Sequence, residues 1–298
     1  MMLRNSQRRS YWPLVMTISL KNIMADRTGY FHIQHPLLYS TGSCTPSYET
    51  RTDITFSMSA DNTSLRSKLA WHVSRLVDVF FPPICCCCGG RLMSHERHVC
   101  TNCLASWPKT TYPSVEDNAL ARLFWGVMPI CSATAVYVYN PGDILASTIH
   151  AMKYGHDASL CHFAGRLMAA DPLCASLLST ADVLVPIPLT RDRQKERGYN
   201  QSRELCVGIA TVFRLEICET LLARKSFSKS QTRLTAMERQ ENVRGTFSLI
   251  SAEGVRGKHI VLVDDIITTG ATMRECLLQL RDIPDIRISI LAFAKTEG

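Results

Sequence analysis

The sequence predicts an α/β protein built on a parallel sheet and preceded by a small four-cysteine segment. Three observations carry that prediction. Helix-like apolar periodicity at 144–152, 160–168, 205–213 and 273–280 alternates with strand-like runs at 183–187, 260–263 and 286–293, the pattern that strand–helix–strand crossovers produce. One of those runs ends in Asp264 and Asp265 and is followed by a loop of Thr and Gly, at the strand end where open α/β sheets bind ligands. Finally, two C-x-x-C pairs, Cys85/Cys88 and Cys100/Cys103, are separated by eleven residues ahead of the alternating region, a pattern that suits zinc.

The 298 residues, with 46% hydrophobic and 20% charged side chains, suffice for one large domain or two modest ones. The 33 Lys plus Arg against 26 Asp plus Glu give a net charge of +7. That excess suits phosphate-bearing ligands or an anionic surface and excludes a histone-like or wholly disordered chain. No apolar run is long enough to span a bilayer, because the best early stretch, at 11–20, closes on Lys21. Arg8 and Arg9 imitate a signal peptide only faintly, since no small-residue cleavage site follows. Of thirteen cysteines, six crowd between Cys85 and Cys103 and the rest are scattered. That placement and the odd total fit a reducing cytosol, so a cytoplasmic protein without a membrane span is expected.

Residues 1–57 show no sustained period and read as a disordered extension or a mis-assigned start. Residues 58–112 are expected to hold a helix and the cysteine segment. Leu65, Leu69, Val73, Leu76, Val77 and Phe80 recur at helical spacing, and Pro82-Pro83 stops that helix. Residues 108–118 are polar and Pro-containing and read as a linker, and a strand is expected over 133–139. The alternating domain is expected to occupy 130–298.

In the cysteine segment, Cys85, Cys88, Cys100 and Cys103 are the expected ligands of a structural zinc, because a closed four-thiolate shell leaves no position for substrate. Cys86, Cys87, His95 and His98 lie close enough to compete, but Cys85 with Cys88 keeps the two-residue gap. At the acidic strand end, Thr268, Thr269, Gly270, Ala271 and Thr272 lead into a helix expected to start near Thr272. Backbone N–H groups, hydroxyls and the positive helix end there suit one phosphate. Two carboxylates a few residues away suit the vicinal hydroxyls of a ribose.

This segment resembles the phosphoribosyl pyrophosphate (PRPP) signature of type I phosphoribosyltransferases. Asp264 and Asp265 match that family's ribose-binding acid pair, and Thr268 to Thr272 match its 5′-phosphate loop. The cysteine segment, Met152 to Gly155, Pro186 to Leu189, Arg191, Arg193, Arg197 to Gln201, Gln231 to Arg233, and Arg239 through Asn242 to Phe247 together resemble the ComF/GntX-like proteins over about residues 65–296. The resemblance implies a phosphoribosyltransferase-like protein, of the glycosyltransferase class, that binds PRPP with magnesium. Asp264 and Asp265 would be its catalytic residues, and a phosphoribosyl group would pass to an acceptor nitrogen as pyrophosphate leaves.

Lys153, Arg191, Arg193, Arg197 and Gly198 are candidates for a pyrophosphate loop, with Asn200 capping the helix that follows. Thr190 to Gly245 hold twelve Lys plus Arg against seven Asp plus Glu, so much of the positive charge is local. Arg224, Lys225, Lys229 and Arg233 fit a closing lid or an ordinary surface loop, and Tyr154 and Tyr199 fit base stacking or packing. The alternative function is a non-catalytic DNA-uptake (competence) accessory protein that binds nucleotide or single-stranded DNA through the same fold, or meets a protein of the competence machinery.

Overall fold

A computed structural model describes residues 82–225 and 245–297. The extension at 1–57, the helix at 65–80, and Lys229, Arg233 and the 231–242 motifs lie outside the described residues. The cysteine segment ends in α1 (Thr101–Ser106), which carries Cys103, and a 3-10 turn (Ala121–Phe124) and β1 (Ser132–Tyr139) follow. Three helices follow, α2 (Ile144–Tyr154), α3 (Ala158–Ala170) and α4 (Pro172–Leu178). Next are β2 (Val183–Pro186), α5 (Arg191–Arg197), α6 (Gln201–Phe213), β3 (Glu216–Ile217), β4 (Leu222–Arg224) and β5 (Phe247–Leu249). The chain closes with β6 (His259–Ile267), α7 (Ala271–Leu280) and β7 (Arg287–Thr296).

The main sheet has the order β1-β7-β6-β2-β3 with every pair parallel, while β4 and β5 form a separate antiparallel pair. From β2 the chain moves outward to β3, and from β6 it moves the opposite way to β7. Between β2 and β6 there is therefore a topological switch point, where adjacent strands diverge and leave a crevice at their carboxyl ends.

Side-chain alternation splits the core in two. Leu184, Val261, Val263, Leu291 and Phe293 pack with α3 and α6, whereas Val183, Val185, Ile260, Leu262, Ile288 and Ile290 pack with α7. Ile260 to Val263 are wholly buried, and each such side chain contributes roughly 1.5–3 kcal/mol. Helices α3 and α6 touch backbone to backbone. A Cβ on Gly165 would stand 2.2 Å from the Leu205 carbonyl oxygen, and one on Gly208 would stand 2.3 Å from that of His162. Only glycine permits this approach.

Two stretches differ from the sequence reading. Residues 108–118, expected as a linker, run along β1. Thr110 N–H donates to the Val136 carbonyl, Val138 N–H to Pro108 and Ala133 N–H to Val115. β1 is a sheet edge whose backbone groups need partners, and this segment supplies them. The basic stretch expected as a polar loop is helix α5. Thr190 caps it, Lys195 and Arg197 sit in its last turn, and it ends at Gly198 with φ 81°. It buries no residue, so no apolar period announced it.

The cysteine segment is built into the first core. Cys85, Leu92, Val99, Cys103 and Trp107 share one cluster with Leu145, Ile149 and Leu160. Trp107 meets Tyr137 and Phe293 edge-on, at ring-centroid distances of 5.1 and 5.8 Å.

Candidate functional site

β6 is longer than the expected run at 260–263 and carries Asp264 and Asp265 within its last turns of pleat, at the switch point. Asp264 Oδ1 accepts from Asp265 N–H at 2.9 Å and from Ser202 Oγ at 3.0 Å. Asp265 Oδ1 accepts from Ile266 N–H at 2.8 Å. Lys153 Nζ stands 3.1 Å from Asp265 Oδ2, but that buried oxygen makes no aligned hydrogen bond. Burial first, and then the charge of Asp265, push the Asp264 carboxyl up to about 7 against the hydrogen bonds that favour its charged form. The pair is thus short of positive charge.

The loop follows directly. Thr268 and Thr269 are exposed, Gly270 is buried, and Ala271 and Thr272 open α7, one residue earlier than expected. Gly270 is the N-cap at φ 75°, and a Cβ there would press to 3.1 Å from the Phe124 ring. It carries no side-chain acceptor for the first-turn N–H groups, so this helix start can receive an external anion.

Ser202 escaped the sequence reading. It is the second residue of α6, whose start is fixed by Asn200: its Oδ1 accepts from Ser202 N–H at 3.1 Å and its Nδ2 donates to the Ile187 carbonyl at 3.0 Å. The capping expectation for Asn200 could have pointed to it, because a capped helix start at the switch point presents its first turn to the acids.

Of the cationic candidates, Lys153 meets the acid pair. Arg197 Nη1 donates to Gln201 Oε1 at 2.6 Å, and its guanidinium lies 5.7 Å from the Tyr154 ring centroid. Its buried Nε has no hydrogen-bond partner. Arg191 and Arg193 are exposed on α5. Arg224, on β4, lies over the Phe247 ring at 5.0 Å. Burial and then the charge of Arg193 lower its pKa, while Asp264 opposes them, so the three side chains share one field. Tyr199 is a packing residue whose hydroxyl donates to the Met152 carbonyl at 2.7 Å, whereas Tyr154 is exposed.

The four sulfurs of Cys85, Cys88, Cys100 and Cys103 all lie within 4.8 Å of one another. A tetrahedron with Zn–S bonds of about 2.3 Å has edges of about 3.8 Å, and Cys88 and Cys100 stand 3.9 Å apart. Cys85 Sγ accepts N–H groups from Cys87 at 3.4 Å and Cys100 at 3.3 Å. Burial raises its pKa, but these backbone donors outweigh burial and bring it down to about 6. The donor set fits a thiophilic metal ion. Cys86 and Cys87 turn instead toward Thr148 Oγ1, at 3.7 and 2.9 Å. His98 turns toward Asp157 and Ser159. Elsewhere, burial raises the pKa of Cys161, Cys174, Cys206 and Cys276, which makes them inert core thiols.

The chain matches the phosphoribosyl transferase domain family over residues 204–292, from α6 through the acid pair and loop into β7. It is 27% identical over 217 residues to Competence protein F of Haemophilus influenzae, covering 72% of this chain and 85% of that one. It is likewise 27% identical over 203 residues to Competence protein ComFC of Bacillus subtilis, covering 66% and 78%. The chain is thus similar to the ComF proteins. It is also 31% identical over 134 residues to DNA utilization protein YhgH of Escherichia coli, covering 44% of this chain and 58% of that protein. Among solved structures it is similar to an allosteric regulatory enzyme of purine biosynthesis, at 22% identity and a TM-score of 0.30, covering 45% of this chain and 25% of that one. No described helix is long and apolar enough to cross a membrane.

Proposed function

We infer that this protein binds PRPP, or a related ribose phosphate, at the switch point and transfers its phosphoribosyl group to an acceptor nitrogen. One observation carries the reading. A charge-starved acid pair and an uncapped helix start lie at the two ends of one loop, with Lys153 on the acids. Asp264 and Asp265 would accept hydrogen bonds from the ribose hydroxyls. Thr268 to Thr272 would hold the 5′-phosphate, and Lys153 and Arg197 would neutralise pyrophosphate, with Arg191, Arg193 and the Gly198 turn at the outer rim. Asp264 and Asp265 are the residues that would face magnesium, which would supply further positive charge to the leaving group.

The step is a substitution at C1. The bond from C1 to the pyrophosphate oxygen breaks, its electron pair leaves with pyrophosphate, the acceptor nitrogen bonds to C1, and the acceptor's proton passes to solvent. The protein positions and neutralises, which is where most catalysis of this kind comes from. Cys85, Cys88, Cys100 and Cys103 would hold a structural zinc, whose role is to close the knuckle. Metal analysis tests this: Cys103→Ser lowers zinc content, whereas Cys86→Ser and Cys87→Ser keep it at one per chain.

Calorimetric titration of PRPP with magnesium tests the site. Saturable binding that vanishes in the Asp264→Asn, Asp265→Asn double variant is expected. Absence of binding by the folded, zinc-loaded wild type overturns the reading. A second reading draws on the exposed basic helix α5 and on relatives named for competence and DNA utilization: a non-catalytic DNA-uptake accessory that binds nucleotide or single-stranded DNA. Salt-dependent binding of single-stranded DNA that survives Asp264→Asn, without PRPP turnover, selects it.

A further inference from the structure

The cysteine knuckle and the acid pair touch the same short stretch of chain from opposite sides. That stretch is α2 together with the turn after it, as far as Asp157. On the knuckle side, Cys86 and Cys87 Sγ meet the fully buried Thr148 Oγ1 at 3.7 and 2.9 Å. His98, whose carbonyl accepts from Cys86 N–H at 2.9 Å, stands with Nδ1 3.7 Å from Asp157 Oδ2 and Nε2 3.3 Å from Ser159 Oγ. On the ligand side, Lys153 reaches Asp265, the Met152 carbonyl accepts from Tyr199, and Tyr154 lies beneath Arg197. Thr148 and Lys153 are five residues apart, so about 1.4 helical turns separate the two sets of contacts.

We propose that the four-cysteine knuckle positions Lys153 over the acid pair, with Thr148 and Asp157 as the positioning residues that transmit its placement. A metal that closes the knuckle fixes the Cys86–Cys87 turn and the bend that carries His98. These hold α2 at Thr148 and its following turn at Asp157, and Lys153 is thereby set 3.1 Å from Asp265. Coupling of this kind is reciprocal: whatever the metal does for ligand affinity, the ligand does for metal affinity. The ligand arm of this inference rests on the PRPP reading, but its structural arm does not.

The test uses the full chain, loaded with zinc, and two mild variants. Thr148→Val keeps the buried volume and deletes the hydroxyl. Asp157→Asn keeps the helix cap and deletes the charge. Hydrogen exchange is read over 149–157, with metal content and circular dichroism measured alongside. The expected result is faster exchange in that stretch in both variants while zinc stays at one per chain, and again in wild type stripped by a chelator. Unchanged exchange over 149–157 in both variants and in the stripped protein overturns the proposal. In the ligand arm, the dissociation constant for magnesium–PRPP rises at least about fivefold in each variant. Wild-type affinity in both variants, with PRPP bound normally by wild type, also overturns it. Failure of wild type to bind PRPP instead sinks the PRPP reading and leaves the exchange result to decide this one.

Discussion

The two ends of β6 hold polar groups in opposite condition, buried at the amino end and half-buried at the carboxyl end. At the amino end His259 is matched at every atom. Its ring Nδ1–H donates to the Thr180 carbonyl at 2.7 Å, and its Nε2 faces Ser289 Oγ at 2.8 Å. Ser289 in turn meets Ser132 Oγ at 2.7 Å, and His259 N–H donates to Asp182 Oδ2 at 2.7 Å. At the carboxyl end, nine residues or fewer away on the same strand, two carboxylates crowd together with one raised to about 7 and one oxygen unmatched. A matched network supports the fold, whereas a mismatch is tolerated where a ligand completes it. This contrast separates scaffold from site.

The strongest way to break the contrast is to neutralise the carboxyl end. Asp264→Asn with Asp265→Asn is expected to weaken magnesium–PRPP binding by at least about 100-fold, as loss of two charge-assisted hydrogen bonds would. The ligand-free variant is expected to melt higher than wild type, because the repulsion is gone; calorimetry and a melting curve read both. His259→Ala should do the reverse: urea unfolding loses about 2–3 kcal/mol, since two partners are left unpaired around a cavity, while PRPP affinity stays unchanged.

Lys153→Met is expected to cost roughly tenfold in PRPP affinity through one lost charge contact. Ser202→Ala is smaller, about 1 kcal/mol, and is distinguished by pH. The folded protein holds the Asp264 proton up to about 7, above the 3.8 of a free carboxyl. Ligand-free stability therefore falls as pH rises between about 4 and 7, the folded state being the one with more bound protons there. Affinity for magnesium–PRPP should rise over about pH 6–8 as the acid ionises. Without the Ser202 hydrogen bond that rise moves to higher pH, which titrations at several pH values will detect.

The features legible in the sequence are those written in contiguous residues. The acids and their loop lie side by side in the chain, and the C-x-x-C spacing is itself the metal geometry, so both could be read without a fold. The α/β alternation was legible because buried helices and strands have different apolar periods. Helix α5 is illegible in the sequence because seven residues with no buried face have no period to show. The 108–118 stretch looks like a linker in sequence because its partners lie on β1, and nothing local marks Ser202 because its partner is 62 positions away. Distance along the chain hid these contacts, since no local preference reports them.

The pairing of β1 with β7 has a consequence for how the molecule is made. Ser132 and Ser289 are opposite one another in the sheet and 157 positions apart in the chain. At about 5–20 residues per second of synthesis, β1 waits roughly 8–30 s for the strand that covers its inner edge. β6, with the acid pair, also lacks one neighbour until the same strand emerges. Parallel pairings this remote form slowly. During that interval the nascent chain presents an apolar strand with unpaired backbone, and only the last ten-residue strand, Arg287–Thr296, closes the gap. A chain truncated before Arg287 therefore has a sheet that cannot close, with β1 and β6 left open to pair with another chain.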